Sequence, residues 1–319
     1  MIKPGEMKLI QIVITNVCPS NCCHCSQLCP HVPPAKKYFM SLDEVEQALK
    51  SLQDYPGHIG MFGGEPTLHP HFEEICKLYQ KYIPVKARRE LWTMGYNWEK
   101  YKDIIHETFY DELIAYNEHE EPQPCWHQPN NIAIGEVFNG LVTGNEMKDL
   151  ELMYKIIDNC WVNLRWSAAI TPMGAYFCEV ASARAWLAGA PKGLEVKPGW
   201  WKVGLDHKVY QRQKRALCRA CSMCLPMEQK ANDKQPYDDV SPAIDEFLKK
   251  VVGSPKALRG ETRIIDMQAL REYYKGHTFE PETEDYWKRG WFKDFPNWKP
   301  NIYRPFEEKK HKPEDVKKR

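Results

Sequence analysis

Twelve cysteines in a chain of 319 residues constrain this protein more than any other feature, because of where they fall. Cys18, Cys22, Cys23, Cys25 and Cys29 lie within twelve residues near the start, and Cys218, Cys221 and Cys224 form a second tight group. Disulfide scaffolds spread their cysteines to close loops, whereas crowded cysteines gather soft thiolate donors at one point, as a metal site requires. The segment Cys18-Pro-Ser-Asn-Cys22-Cys-His-Cys25 has the spacing C-x3-C-x2-C. So short a loop lets three thiolates converge on one face of a cubane [4Fe–4S] cluster, leaving one iron without a protein ligand. An open coordination position is what a reactive centre needs. The alternative is a zinc knuckle using Cys18, Cys22, Cys25 and either His24 or Cys29. Structural zinc more often pairs two C-x2-C arms across an insertion, which this loop lacks.

The flanking pattern places that loop on a fold. Residues 8–15 are apolar and β-branched and read as a buried strand of the kind found in parallel sheets. Ser41 and Glu44 have capping-box spacing, and Leu42, Val45, Leu49 and Leu52 form a helical stripe ended by Pro56-Gly57. Ile59 to Phe62 is a second strand running into Gly63-Gly64. Further strands are expected at Val85 to Thr93, Glu112 to Tyr116 and Ile132 to Ile134. Helices are expected near Pro70 to Tyr82 and Asn97 to Phe109. Strands alternating with helices predict an α/β fold with a parallel sheet, whose functional loops lie at the carboxyl ends of the strands. Beyond residue 145 a helix at Glu146 to Asp158 precedes a β-hairpin turning at Thr171-Pro172-Met173-Gly174, then a helix at Ala181 to Ala188. Residues 189–215 read as irregular. Ser241 to Val252 reads as helix, Tyr286 to Pro305 is rich in Trp, Tyr and Pro, and Lys309 to Arg319 is a charged end.

Charge narrows the partners. Lys and Arg total 44 against 43 Asp and Glu, so neither nucleic acid nor an anionic membrane is favoured electrostatically. No run of 18 apolar residues suggests a transmembrane helix, and the polar start does not resemble a signal peptide, so a cytoplasmic location is expected.

The three cysteines after the first strand resemble the signature of the radical S-adenosylmethionine (SAM) superfamily. Gly63-Gly64-Glu65-Pro66, at the end of the second strand, is similar to that family's GGEP motif. The resemblance covers roughly residues 8–140 and implies a partial (β/α)6 TIM-like barrel. It implies that Cys18, Cys22 and Cys25 ligate a [4Fe–4S] cluster whose open iron binds SAM. It further implies that Gly63, Gly64, Glu65 and Pro66 hold SAM's methionine moiety. His24 takes the place of an aromatic residue that contacts adenine, and Thr93 stands where the family approaches the ribose, although Met94 replaces an Asn there. The implied reaction is one-electron cleavage of SAM to a 5′-deoxyadenosyl radical that removes hydrogen from a substrate. A flavodoxin- or ferredoxin-type protein would supply the electron.

Cys178, which follows the hairpin, resembles the cluster cysteine of the SPASM and twitch extensions in this superfamily. With Cys160 and the downstream cysteines it implies a second, auxiliary [4Fe–4S] cluster on Cys160, Cys178, Cys218 and Cys221, with Cys224 a fifth candidate; a Zn(Cys)4 site is the alternative. The chain then divides into a core barrel (1–145), a twitch-like cluster unit (146–230) and a C-terminal helical and irregular segment (231–319). Glu118, His127 and Arg165 are candidate bases or substrate contacts, His119 stands beside Glu118, and Glu179 is a candidate buried charge. The substrate class is a small sugar- or cyclitol-like molecule or a peptide. A non-catalytic zinc-binding interaction protein is the competing reading, and it leaves Gly63-Gly64-Glu65-Pro66 unexplained.

Overall fold

The apolar run after Lys8 forms the central strand β1 (Leu9–Thr15), buried along its whole length. The structure is a computed structural model that describes residues 1–115, 126–225, 227, 230–231 and 237–275. On one side of β1 lie β2 (His58–Gly63), β3 (Arg89–Trp92) and β4 (Ile114–Ala115), all parallel. On the other side β1 pairs in parallel with β5 (Ser167–Thr171), which turns through Pro172-Met173 into the antiparallel β6 (Gly174–Tyr176). The order is therefore β4-β3-β2-β1-β5-β6, a mixed α/β architecture dominated by parallel pairing. The expected hairpin is present, and it extends the same sheet that carries the first cysteine loop.

Period-two alternation divides the sheet into two faces. Ile10, Ile12 and Ile14 of β1, Ile59 and Met61 of β2, Leu91 of β3 and Ala168 and Ile170 of β5 all enter one apolar core. Three helices cover this face: α1 (Leu42–Ser51), α2 (Phe72–Tyr82) and α3 (Trp98–Thr108). The capping box starts α1 as its spacing predicts. The Glu44 amide donates to Ser41 Oγ, and Glu44 Oε2 accepts the Ser41 amide at 2.7 Å. Val45, Leu49, Ile75, Tyr79 and Ile105 fill the gap between helices and sheet, each contributing on the order of 1.5–3 kcal/mol of burial. The opposite face carries Gln11 and Val13, Gly60 and Phe62, Glu90 and Trp92, and Ser167 and Ala169. The pairing lines up Ala169, Gln11, Gly60 and Glu90 across four strands.

Several expectations need correction. The strand expected at 132–134 is absent. The short helix Ile134–Val137 begins there, and the backbone just before it bonds to loops: Asn130 O accepts the Ser222 amide and Asn131 O the Ser241 amide. The hairpin starts at Ser167, because Trp161–Arg165 forms a helical turn. The stretch 189–215, expected to be irregular, contains the start of α6 (Lys208–Leu217), capped by the His207 side chain and burying Tyr210, Gln213 and Leu217. The helices α4 (Glu146–Asp158) and α5 (Glu179–Ala188) lie where periodicity places them, and α5 begins two residues early. The helix expected over 241–252 starts as Pro242–Glu246 and widens to a π-helical turn at Phe247–Val252. The aromatic tail at 286–305 and the charged end fall outside the described residues.

Candidate active site

Loops at the carboxyl ends of β1, β2 and β3 meet at one edge of the sheet. Past the β1–β2 pairing, the Gly64 amide donates to Thr15 O and the Glu65 amide to Val17 O, both at 2.8 Å. A side chain at Gly64 would meet the Val17 carbonyl, whose carbon lies 2.7 Å from the Cβ position. Glycine is therefore needed for close backbone approach to the base of the cysteine loop. Glu65 is fully buried. Its Oε1 accepts from the Thr67 amide (3.0 Å), Thr67 Oγ1 (2.6 Å) and Thr93 Oγ1 (2.6 Å), and its Oε2 accepts from the Met94 amide (2.6 Å). The Gly-Gly-Glu-Pro segment thus ties β1 to β2, and its glutamate ties β2 to β3. Thr93 is placed by the same carboxylate, and Pro66 opens the following 3-10 turn.

In the cysteine loop, Cys18, Cys22 and Cys25 are part-exposed while Cys23 and Cys29 are buried. Burial pushes the Cys18 thiol up to about 11, and the neighbouring Cys25 charge adds to the effect. A hydrogen bond from the Cys29 thiol holds Cys25 below its ordinary value, and Cys29 rises well above its own. The charges of Cys18 and Cys22 also raise Cys29, so the three thiols stand in one neighbourhood around it. Cys23 points away, pushed up to about 12 by burial and then by Asp238. His24, at φ 50° in the left-handed region, is buried; its Nε2 lies 3.6 Å from Asp239 Oδ2. The structure turns this ring toward residue 239.

A second neighbourhood forms where Cys160 precedes the turn Trp161–Arg165, Cys178 precedes α5, and Cys218, Cys221 and Cys224 follow α6. All five lie in or against one apolar cluster with Trp161, Phe177, Tyr210 and Met223. Burial raises Cys160 to about 12 and lifts Cys178, Cys218 and Cys224 well above the ordinary thiol range. In each case the charges of other thiols in the group add to the rise. Several thiolates crowded into apolar surroundings require a cation among them. Among the described residues, no three His, Cys, Asp or Glu side chains converge closely enough to grip one metal ion. A single zinc draws its thiolates to about 2.3 Å. Thiolate donors are equally the ligands of iron–sulfur clusters, so the donor chemistry of both thiol sets fits one.

The sheet face opposite the helices carries Gln11 and Glu90, which the sequence reading did not single out, beside Glu179, the candidate buried charge, which is indeed buried. Gln11 is fully buried, and neither polar atom of its carboxamide meets a hydrogen-bond partner among the described residues. Glu90 accepts from Trp92 Nε1, and Glu179 Oε2 accepts from Ser167 Oγ at 2.7 Å. Burial raises Glu179 to about 7. Trp92 and Trp166 stack edge to face at 5.1 Å beside them. A polar Gln within an otherwise apolar strand was the available signal. Of the other candidates, Arg165 ends its helical turn half-buried, distinct from the three strand-end loops. His127 pairs with Lys230 in a two-residue ladder, and burial followed by the His24 charge lowers it to about 4. Glu118 and His119 lie outside the described residues.

With this geometry in place, comparison with known proteins is direct. Residues 12–110, which run from the middle of β1 through β3 and hold all three strand-end loops, match the family model of the radical SAM superfamily. This stretch is a radical SAM domain. The protein that carries it is a radical SAM enzyme, a family that implies a [4Fe–4S] cluster and SAM. A search of curated proteins finds no match. Among solved structures, BtrN in complex with AdoMet and 2-DOIA is 16% identical, with 67% of this chain and 88% of that chain covered and a TM-score of 0.39. Selenomethionine BtrN in an open conformation is 15% identical, covering 67% and 86%, with a TM-score of 0.38. Among the described residues, no helix is long and apolar enough to cross a membrane.

Proposed function

We propose that Cys18, Cys22 and Cys25 hold the [4Fe–4S] cluster of this radical SAM enzyme and that Gly63 to Pro66 and Thr93 bind SAM beside it. The observation that carries this reading is the convergence of the three loops at one sheet edge, tied together through Glu65. When bound, the cluster and SAM supply a one-electron cleavage of SAM that yields methionine and a 5′-deoxyadenosyl radical able to remove a substrate hydrogen atom. The chain's own part is to fix the loops and to offer a polar, aromatic-flanked sheet face. Gln11, Glu90 and Glu179 on that face suit a small, hydroxyl- or amine-bearing substrate, and a peptidyl substrate is the second possibility within the class. Glu118, His127 and Arg165 remain proposed substrate or proton-handling residues.

The second thiol neighbourhood is proposed to hold an auxiliary [4Fe–4S] cluster on Cys160, Cys178, Cys218 and Cys221 or Cys224, in a twitch-like extension of a partial barrel. Its domain limits are taken as 146–230. A cytoplasmic location, a flavodoxin- or ferredoxin-type electron donor, and no nucleic-acid or membrane partner complete the reading. The test is anaerobic reconstitution with iron and sulfide, followed by an assay for 5′-deoxyadenosine from SAM and dithionite. Turnover lost in Cys22→Ala supports the assignment. Zinc uptake with no iron and no SAM cleavage would sink it.

A further inference from the structure

Four backbone groups on three residues of the cysteine loop are gripped by side chains from far along the chain. Lys256 Nζ, with no solvent exposure, donates to Cys22 O at 3.0 Å and to Asp238 Oδ1 at 2.9 Å. The same Asp238 Oδ1 accepts the His24 amide at 2.7 Å. Asn130 Nδ2 donates to His24 O at 3.2 Å and to Cys25 O at 3.0 Å. A further set of contacts fixes these clamps in turn. Asp238 Oδ2 bonds His31 Nε2 at 2.7 Å and accepts from Asn131 Nδ2 at 3.3 Å, and His31 Nδ1 meets Ser254 Oγ at 2.7 Å. Asp239, the next residue, pairs with Arg263.

A buried ion pair is by itself weak evidence of anything beyond packing. Here, however, two independent elements, residue 130 and residues 238–256, direct their polar groups at the backbone of the same loop. They hold His24 in a left-handed conformation that costs a non-glycine residue free energy. Resting on the proposed cluster site, we infer that Asn130, Asp238 and Lys256 are positioning residues for the first cluster. They pre-build the Cys22–Cys25 turn before iron arrives, and Lys256 sets its ammonium group, paired with Asp238, against the Cys22 carbonyl. A neighbouring cation favours the reduced, more negative state of a cluster, so its removal lowers the reduction potential.

The test starts with the wild-type apoprotein, which needs no variant to fold. Hydrogen–deuterium exchange is expected to show the His24 amide strongly protected without iron; exchange as fast as an exposed loop overturns the pre-built turn. Wild type, K256M, K256R and N130A are then reconstituted with iron and sulfide. Cluster assembly is expected to slow in N130A. In K256M the reduced-cluster EPR signal that responds to SAM is expected to shift to lower potential, and K256R is expected to restore it. If K256M and N130A load at the wild-type rate with an unchanged signal and potential, the inference fails while the cluster reading stands. If wild type takes up no iron, the cluster reading itself fails.

Discussion

Glu65→Gln isolates what the buried glutamate does for the fold from what it does for SAM. The carboxylate accepts four hydrogen bonds, three at Oε1 and one at Oε2. A carboxamide has one acceptor oxygen. Placed at the Oε1 position, that oxygen keeps the Thr67 and Thr93 donors, but the amide nitrogen then faces the Met94 N–H, donor against donor. The reverse orientation sets three donors against it and is worse. Hydrogen bonds to a charged group contribute about 1.5–3 kcal/mol, and a buried donor left without a partner costs about 1–3 kcal/mol. The variant should lose roughly 3 kcal/mol, with the damage concentrated where β2 meets β3. Thermal or denaturant unfolding of the apoprotein, with no SAM present, measures it. Exchange of the Met94 amide should speed up in the same sample. An apoprotein as stable as wild type, with Met94 still protected, would refute the claim that Glu65 ties the two strands together.

Three further outcomes follow. His69 accepts the His71 amide at Nδ1 (3.1 Å) and donates from Nε2 to Met40 O (2.9 Å), and burial lowers its pKa below the ordinary histidine value of 6.5. The unfolded chain therefore binds the proton first, and the stability tied to this residue is lost as pH falls below about 6.5 toward the folded value; His69→Gln, which can keep both bonds, should flatten that part of a stability-against-pH curve. Cys178→Ser should reduce iron after reconstitution from about eight to about four per chain, by the arithmetic of two four-iron clusters, while 5′-deoxyadenosine formation from the first cluster persists. Gln11→Met removes a buried carboxamide that meets no partner among the described residues and should stabilise the apoprotein by about 1–3 kcal/mol; an unchanged or lowered melting temperature would count against the unpaired amide.

What sequence could show was mostly local. The capping box of Ser41 and Glu44, the apolar run of β1 and the boundaries of α4 are written in neighbouring residues, and the structure repeats them. Both cysteine groups were legible from spacing, as was the Gly-Gly-Glu-Pro turn. The resemblance implies that Gly64 holds SAM's methionine moiety, and the structure adds a nearer cause for glycine there, the Val17 carbonyl. The groups that were not legible act over long sequence distances. Lys256 lies in a polar stretch that reads like surface, and its burial depends on a carbonyl at Cys22, 234 positions earlier. Asn130 and Gln128 resembled loop residues. Yet Asn130 braces the first cysteine loop, while Gln128 Nε2 donates to Ser222 O and its Oε1 accepts from Trp161 Nε1 beside the second. Period and spacing carry no record of such pairings.

These long-range bonds bear on where the enzyme's core ends. The matched stretch stops at residue 110, but the central strand β1 has its second neighbour in β5, at Ser167–Thr171. Without β5, β1 would present an open row of N–H and C=O groups. Cut off from Asn130, Asp238 and Lys256, the carbonyls of Cys22, His24 and Cys25 and the His24 amide would lose their buried partners, at a cost of about 1–3 kcal/mol for each group left unpaired away from water. Ser222, one residue from Cys221, links the two cysteine groups through Asn130: its amide donates to Asn130 O and its hydroxyl to Pro129 O at 2.7 Å, and Asn130 Nδ2 in turn donates to Cys25 O. A shift of the 128–131 segment would therefore be felt in both loops at once. The residues that chemistry requires at the start of the chain are thus held in shape by its second half.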